Sequence, residues 1–362
     1  DFRSLSDAAR WYGDWLRDAA LPLWSTAGVD AARGSFQETL TVEGLPAGAI
    51  RRSRVQTRQA WVFATAAAQG WGEGYGEIAR RAFGFHRAHY RRPDGLYARA
   101  ADAEGRIVDP TPLVYEQAFA LLALAGLQAA GLGDYAAEAE DLLASMAALR
   151  HPGGGWREAG EHPFQANAHM HLLEAALAWE AAGEARWAEV ADEIVALALG
   201  RFIEDGLLRE FFDEAWRPLP DRDGGLIEPG HQFEWAWLLD QWAGRRGRAD
   251  LRTVVQGLFE RGLEGVDPQR NVAVGAIWAD LRVRDPIARL WAQTERLRAA
   301  AAFGTEAQSL AAAAGLARFL DTPARGVWRD KLRGDGSFVE EPAPATSLYH
   351  LAAGLLPLLT RL

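Results

Sequence analysis

The chain has 362 residues, 49% apolar and 24% charged, with a formal net charge of -10, so it can bury a large core and disorder is not expected. No basic run supplies the clustered positive face that nucleic acid or an anionic membrane surface requires, which sets both partners aside. With no cysteine and a single lysine, Lys331, disulfides, thiolate nucleophiles, sulfur metal ligands and a phosphate-loop lysine are excluded together.

Apolar residues at helical spacing fill twelve windows in chain order: 4–21, 55–70, 73–91, 114–131, 134–150, 166–183, 185–201, 231–246, 248–264, 286–303, 305–320 and 345–361. Short Gly-rich turns such as Gly70-Trp71-Gly72-Glu73-Gly74 and Gly131-Leu132-Gly133 join most pairs, so paired helices run antiparallel. Longer connections between pairs carry short extended pieces, as at Asp94-Gly95-Leu96-Tyr97 and Gly334-Asp335-Gly336-Ser337-Phe338, which read as hairpin loops at one end. Windows 117–130 and 172–179 are almost wholly Ala, Leu and Phe and read as an inner ring; 134–150 and 185–201 keep a charged face and read as an outer ring. The expected architecture is all-α, a single (α/α)6 barrel over residues 1–362 built of six helical hairpins. No apolar window of about 18 residues suggests a membrane span, and the Asp1-Phe2-Arg3-Ser4 start has no leader pattern, so a cytoplasmic monomer or homodimer is expected.

A series of polar residues opens the apolar stretches at intervals of 56 to 62 residues: Arg58, Tyr115, His171, His231, Gln293 and His350. Each interval is the length of two helices and two connections, so the series is an internal repeat. Closed on itself, it would bring six helix ends to one place.

Four segments carry side chains suited to proton chemistry. In Glu228-Pro229-Gly230-His231-Gln232-Phe233-Glu234, His231 falls in the first turn of an inner helix, and Glu234, three residues on, is placed to orient it. In 165–174, Asn167, His171 and Glu174 share a face while His169 points away. His350 opens the last apolar helix. Arg58 enters an inner helix beside Trp61 and Phe63 and needs an anion to be tolerated there, whereas Arg51, Arg52 and Arg54 are expected in solvent. The chain has fifteen Trp; Trp61, Trp235, Trp278 and Trp291 lie near the helix ends, where an indole face can pack on a sugar ring. A metal site of His171, His231, His350 and Glu234 is conceivable, but the spacing does not demand one, and no metal or cofactor is expected.

The segments TRQAWVF (57–63), VYEQAF (114–119), NAHMHLLEA (167–175), LREFFDEAW (208–216), PGHQFEW (229–235), RLWAQTE (289–295) and LYH (348–350) together resemble the N-acylglucosamine 2-epimerase superfamily over nearly the whole chain. The resemblance implies a six-hairpin barrel and metal-free chemistry on an open-chain aldose through a cis-enediolate. It implies Arg58 at the enediolate oxygen, His231 and His350 as the acid/base pair, and His171, Asn167, Tyr115, Glu234, Gln293 and Glu295 as groups that hold or open the sugar. A weakly acidic proton beside a carbonyl calls for such a cationic donor and neutral base. Ala168 departs from the proline usual in the family, and the short chain suggests trimmed loops, which favours a free monosaccharide: D-mannose to D-fructose isomerisation is expected. The alternatives are a sugar 2-epimerase and an α/α-barrel glycoside hydrolase working through Glu116, Glu234 and Glu295.

Overall fold

Helices whose apolar residues cover every side must be enclosed, and this requirement organises the chain. The computed structural model describes residues 2–220 and 225–360, which form thirteen α-helices. They are α1 (Leu5–Trp15), α2 (Leu21–Thr26), α3 (Ser53–Ala68), α4 (Tyr75–Tyr90), α5 (Val114–Ala129), α6 (Ala136–Ser145), α7 (Ala166–Ala181), α8 (Trp187–Leu197), α9 (Pro229–Arg246), α10 (Arg252–Glu264), α11 (Leu290–Phe303), α12 (Glu306–Ala317) and α13 (Thr346–Leu359). The first window, 4–21, is broken by a wider π turn at Leu16–Ala20, beyond which α2 continues.

Six helices, α3, α5, α7, α9, α11 and α13, pack each on the next, and α13 returns to α3, closing the ring. In α5, Phe119 to Ala125 are all buried, as expected of an inner helix. The second ring is formed by α1, α4, α6, α8, α10 and α12. A single stripe suffices there: α8 buries Trp187, Ala191, Ile194 and Val195, with Val190 and Leu197 half-buried beside them. Since α1 covers α13, the first helix of the chain backs the last. This is the all-α (α/α)6 architecture.

Antiparallel pairing makes all inner helices parallel, with their N-termini at one end. Short strand pairings decorate that end. Ile50–Arg52 pairs with Ala100–Asp102, which pairs with Ile107–Asp109, and Thr39–Leu40 pairs with Ala343–Pro344, tying the two ends of the chain across the ring closure. Most tryptophans are core: Trp15, Trp24, Trp179, Trp187, Trp235 and Trp328 are fully buried, and Trp24 stacks on Trp328 at 4.9 Å. Among the described residues no helix is long and apolar enough to cross a membrane.

One hydrogen-bonding device recurs around the ring. Gln56 both accepts from the Phe36 N–H and donates to the Phe36 carbonyl; Gln117 does the same at Tyr97, Gln232 at Leu208 and Gln293 at Ala273. In α7 the position is taken by His169, whose Nε2 accepts from Trp156 N–H at 2.9 Å while Nδ1 bonds the Gln165 carbonyl. In α13 it is taken by Ser347, which donates to Asp330 at 2.9 Å. Each inner helix thereby clamps the loop before it, and in all but α13 the clamp satisfies backbone groups that burial would otherwise leave unpaired.

Candidate active site

The clamps set the rotation of the inner helices. Two residues along an α-helix turn the side chain by about 200°, so positions two before and two after each clamp face the barrel axis. The preceding set is Arg54, Tyr115, Asn167, Gly230, Trp291 and Ala345; the following set is Arg58, Phe119, His171, Glu234, Glu295 and Tyr349. Between them, at the N-terminal end of the ring, lies a cavity of about 460 Å³. Its wall includes Arg58, Tyr115, Asn167, His171, His231, Glu234 and His350, so seven residues singled out in the sequence converge.

His231 donates from Nδ1 to Glu210 at 2.9 Å and has Glu228 at 3.6 Å. Burial alone would drive this imidazole toward neutrality, but the charges of Glu210, then Glu228, outweigh it and hold the pKa up to about 10. His350 also donates from Nδ1, to Glu295 at 2.9 Å, yet burial, and after it the positive Arg58, push its pKa well below the ordinary imidazole value. One ring is thus an imidazolium and the other a neutral base with Nε2 unprotonated. Both pack on the Trp291 indole, His231 at 5.0 Å and His350 at 5.6 Å between ring centroids. Gly230 makes room for that indole: a Cβ there would come within 2.5 Å of it.

Arg58 is only 4% exposed. Its Nη2 donates to the Tyr115 hydroxyl at 2.6 Å and its Nη1 to the Thr346 carbonyl at 3.2 Å, and the guanidinium lies 4.1 Å over Phe119. Among the described residues it makes no carboxylate ion pair, leaving a buried positive charge that a substrate oxyanion can complete. His171 lies 3.4 Å from Glu174 and 3.9 Å from Glu234, and burial draws its pKa down to about 4. Burial, with Glu295 beside it, raises the Glu234 carboxyl well above the usual range. Neither Glu234 oxygen has a hydrogen-bond partner, and Asn167 Oδ1 is likewise unpaired; both side chains line the cavity. They are the polar atoms a hydroxylated ligand would satisfy.

Several expectations need correction. Gln293 is a clamp facing away from the cavity. Trp278 ends the strand Ala276–Trp278, with the Arg284 guanidinium 4.9 Å from its ring, and is not part of the cavity wall. Glu295 stands behind His350 and pairs with Arg298. Glu234 does not orient His231; Glu210, from the loop after Leu207–Leu208, does. Arg51 is buried and paired with Asp30 at 3.1 Å, and Arg54 joins the cavity wall, its Nε donating to the buried Glu116 at 2.7 Å. Of the three carboxyl groups considered for glycoside hydrolysis, only Glu234 lines the cavity. The hydrophobic staging of inner helices gave no clue to Glu210 beyond its place in LREFFDEAW; the clamp could have been found from the 61-residue spacing of Gln56 to Gln117 and of Gln232 to Gln293.

Three groups bring potential metal ligands within 4.8 Å of one another: His171, Glu174 and Glu234; Glu210, Glu228 and His231; and Glu234, Glu295 and His350. In the third, Glu295 is paired with Arg298.

The N-acylglucosamine 2-epimerase (GlcNAc 2-epimerase) family model matches residues 34–354. A mannose-6-phosphate isomerase of Rhizobium meliloti (strain 1021) is 45% identical over 367 residues, 95% of each chain. A D-mannose isomerase of Thermobifida fusca is 32% identical over 172 residues, 40% of this chain and 41% of that one. Among solved structures, the cellobiose 2-epimerase of Spirochaeta thermophila DSM 6192 superposes with a TM-score of 0.87 at 21% identity, covering 99% of this chain and 97% of its own. A D-mannose isomerase gives 0.86 at 19% identity, with 98% and 97% covered. By its sequence match and its shared six-hairpin barrel, the chain belongs to the N-acylglucosamine 2-epimerase family of sugar-acting enzymes.

Proposed function

We propose that this enzyme is an aldose–ketose isomerase that interconverts a mannose-type aldose and the matching 2-ketose through a cis-enediolate. The observation that carries the reading is the opposite tuning of His231 and His350, both packed on Trp291, with Arg58, free of any carboxylate ion pair among the described residues, in the same cavity wall. His350 Nε2 takes the C2 proton as the carbonyl electrons move onto O1, which Arg58 stabilises and His231 protonates. As the C2 carbonyl forms, the O2 proton passes to His231, and His350 returns its proton to C1. The net change is one hydrogen moved from C2 to C1 and one from O2 to O1. His171, Asn167, Glu234 and Tyr115 hold the hydroxyls. The names of the two relatives, mannose-6-phosphate isomerase and D-mannose isomerase, support a mannose-type substrate.

The test is incubation of D-mannose and D-mannose 6-phosphate in deuterated buffer with EDTA, followed by chromatography and NMR. Ketose product, with deuterium at C1 to the extent that His350 exchanges with solvent, is expected, at a rate that EDTA leaves unchanged. Aldose epimerised at C2, without ketose, would assign a 2-epimerase instead. No turnover of either sugar would overturn the reading.

A further inference from the structure

In the wall of the cavity arginines outnumber carboxyl groups, the reverse of the molecule around it. In a chain of net charge -10, five arginines line it, Arg52, Arg54, Arg58, Arg99 and Arg289, against three carboxyl groups, Glu158, Glu228 and Glu234. Burial raises the pKa of all three. Glu158 is further compensated by backbone N–H groups, accepting from Val114 at 2.8 Å, Tyr115 at 3.0 Å and Ala159 at 2.9 Å.

Four of the arginines lie on one side. Arg54 and Arg58 are one turn apart on α3, and the Tyr115 ring links them, its hydroxyl bonded to Arg58 and its face 4.2 Å from the Arg54 guanidinium. Arg52 ends the strand that leads into α3, and Arg99 precedes the strand paired with it, its carbonyl accepting from the Ser53 N–H at 2.8 Å. The guanidinium groups therefore run from the reacting end of the cavity toward its mouth. One helical turn is about 5.4 Å, comparable with the reach of an open six-carbon sugar from its carbonyl to its far end.

Of the outer groups, Arg52 is held by Glu38, which accepts from its Nε and its backbone N–H, whereas Arg99 is held loosely. Arg99 and its partner Asp109, 3.2 Å away, are 49% and 31% exposed, and such pairs are exchanged at little cost. A doubly charged anion can take the place of Asp109 while Glu116 keeps Arg54 in position.

We propose that Arg52, Arg54 and Arg99 form a subsite for a phosphate ester on the end of the sugar remote from its carbonyl, which makes a hexose 6-phosphate the preferred substrate over the free hexose. The proposal rests on the isomerase reading for which end of the sugar reacts. Guanidinium forks suit the three oxygens of a phosphomonoester, and the dianion present above about pH 6 can compete with Asp109 for Arg99.

The experiment compares kcat/KM for D-mannose 6-phosphate and D-mannose in the wild type and in Arg99→Gln, with calorimetric binding of both sugars and of inorganic phosphate. The expected result is a preference of at least tenfold for the phosphate ester, competitive inhibition by inorganic phosphate, and a fall of about tenfold in the preference ratio in Arg99→Gln. Arg99 is half exposed, so folding is not at stake, and circular dichroism checks it. Equal or better turnover of D-mannose, or a ratio unmoved by the substitution, overturns the phosphate subsite and leaves the isomerase reading standing. Phosphate-dependent binding with no turnover of either sugar supports the subsite and removes the isomerase reading; no binding of either sugar or phosphate removes both.

Discussion

His231 and His350 are the same side chain given opposite protonation by their surroundings. Both donate from Nδ1 to a buried glutamate, but His231 faces two acids, Glu210 and Glu228, whereas His350 is set against Arg58 with Glu295 already paired to Arg298. An imidazolium that must donate a proton loses its function as pH rises through its pKa, so the alkaline limb of kcat/KM should lie near pH 10. Removing the Glu210 charge in Glu210→Gln leaves only Glu228 and Glu234 to oppose burial. The limb should then move down, toward the ordinary imidazole range, while the acid limb set by His350 stays in place. A pH profile after subtraction of base-catalysed background reads this directly; an unmoved alkaline limb would show that Glu210 does not set the proton affinity of His231. The same linkage bears on stability. Since the folded-state pKa is raised, the stabilisation is complete below pH 6.5 and is lost as pH rises through about 10. Arg58, His231 and His350 were legible in the sequence because each sits within the first two turns of an apolar helix. Glu210 was not, because it comes from a loop, whose course no periodicity encodes.

Register is the lesson at the level of the helix. The repeating polar series of the sequence mixed five registers: Arg58 and His171 follow their clamps by two, Tyr115 precedes its clamp by two, His231 precedes its clamp by one, His350 follows its clamp by three, and Gln293 is itself a clamp. A polar residue at the start of a buried helix can satisfy either the cavity or the preceding loop, and spacing near sixty residues does not separate the two. A Trp near a helix end is equally ambiguous: Trp291 takes the axis-facing position, whereas Trp278 belongs to a hairpin. The number and order of helices were legible because apolar periodicity extends over many residues; the rotation of each helix depends on one clamp side chain. Gln117 bonds both polar groups of Tyr97 and also the Leu113 carbonyl. Truncation in Gln117→Ala leaves these buried groups unpaired and should cost about 1–3 kcal/mol per orphaned group. The denaturation midpoint should fall accordingly. Because Tyr115 and Phe119 flank this clamp and pack on Arg58, kcat should fall more than KM rises. A variant as stable as wild type would remove the clamp as a determinant of register.

Ring closure gives the whole molecule its electrostatics. Six inner helices present their N-termini to one mouth, each equivalent to roughly half a positive charge, and the loops there add Arg52, Arg99 and Arg289. The chain as a whole carries a formal net charge of -10. A dianionic sugar thus meets two opposed fields: a diffuse repulsion from the whole chain and a concentrated attraction at the cavity. Their ranges differ. Screening length falls from about 30 Å at 0.01 M salt to about 8 Å at 0.15 M, so added salt first removes the diffuse repulsion and then weakens the partly exposed arginines of the mouth. For an enzyme limited by proton transfer rather than by encounter, the equilibrium occupancy of the cavity governs kcat/KM, and there the nearby arginines dominate. Raising ionic strength from about 0.01 M to 0.2 M should therefore lower kcat/KM for D-mannose 6-phosphate about threefold to tenfold, while the value for uncharged D-mannose stays flat. The attenuation should be smaller in Arg99→Gln. If kcat/KM for the phosphate ester instead rises with salt, repulsion by the whole chain outweighs the mouth, and the arginines there do not select for charge.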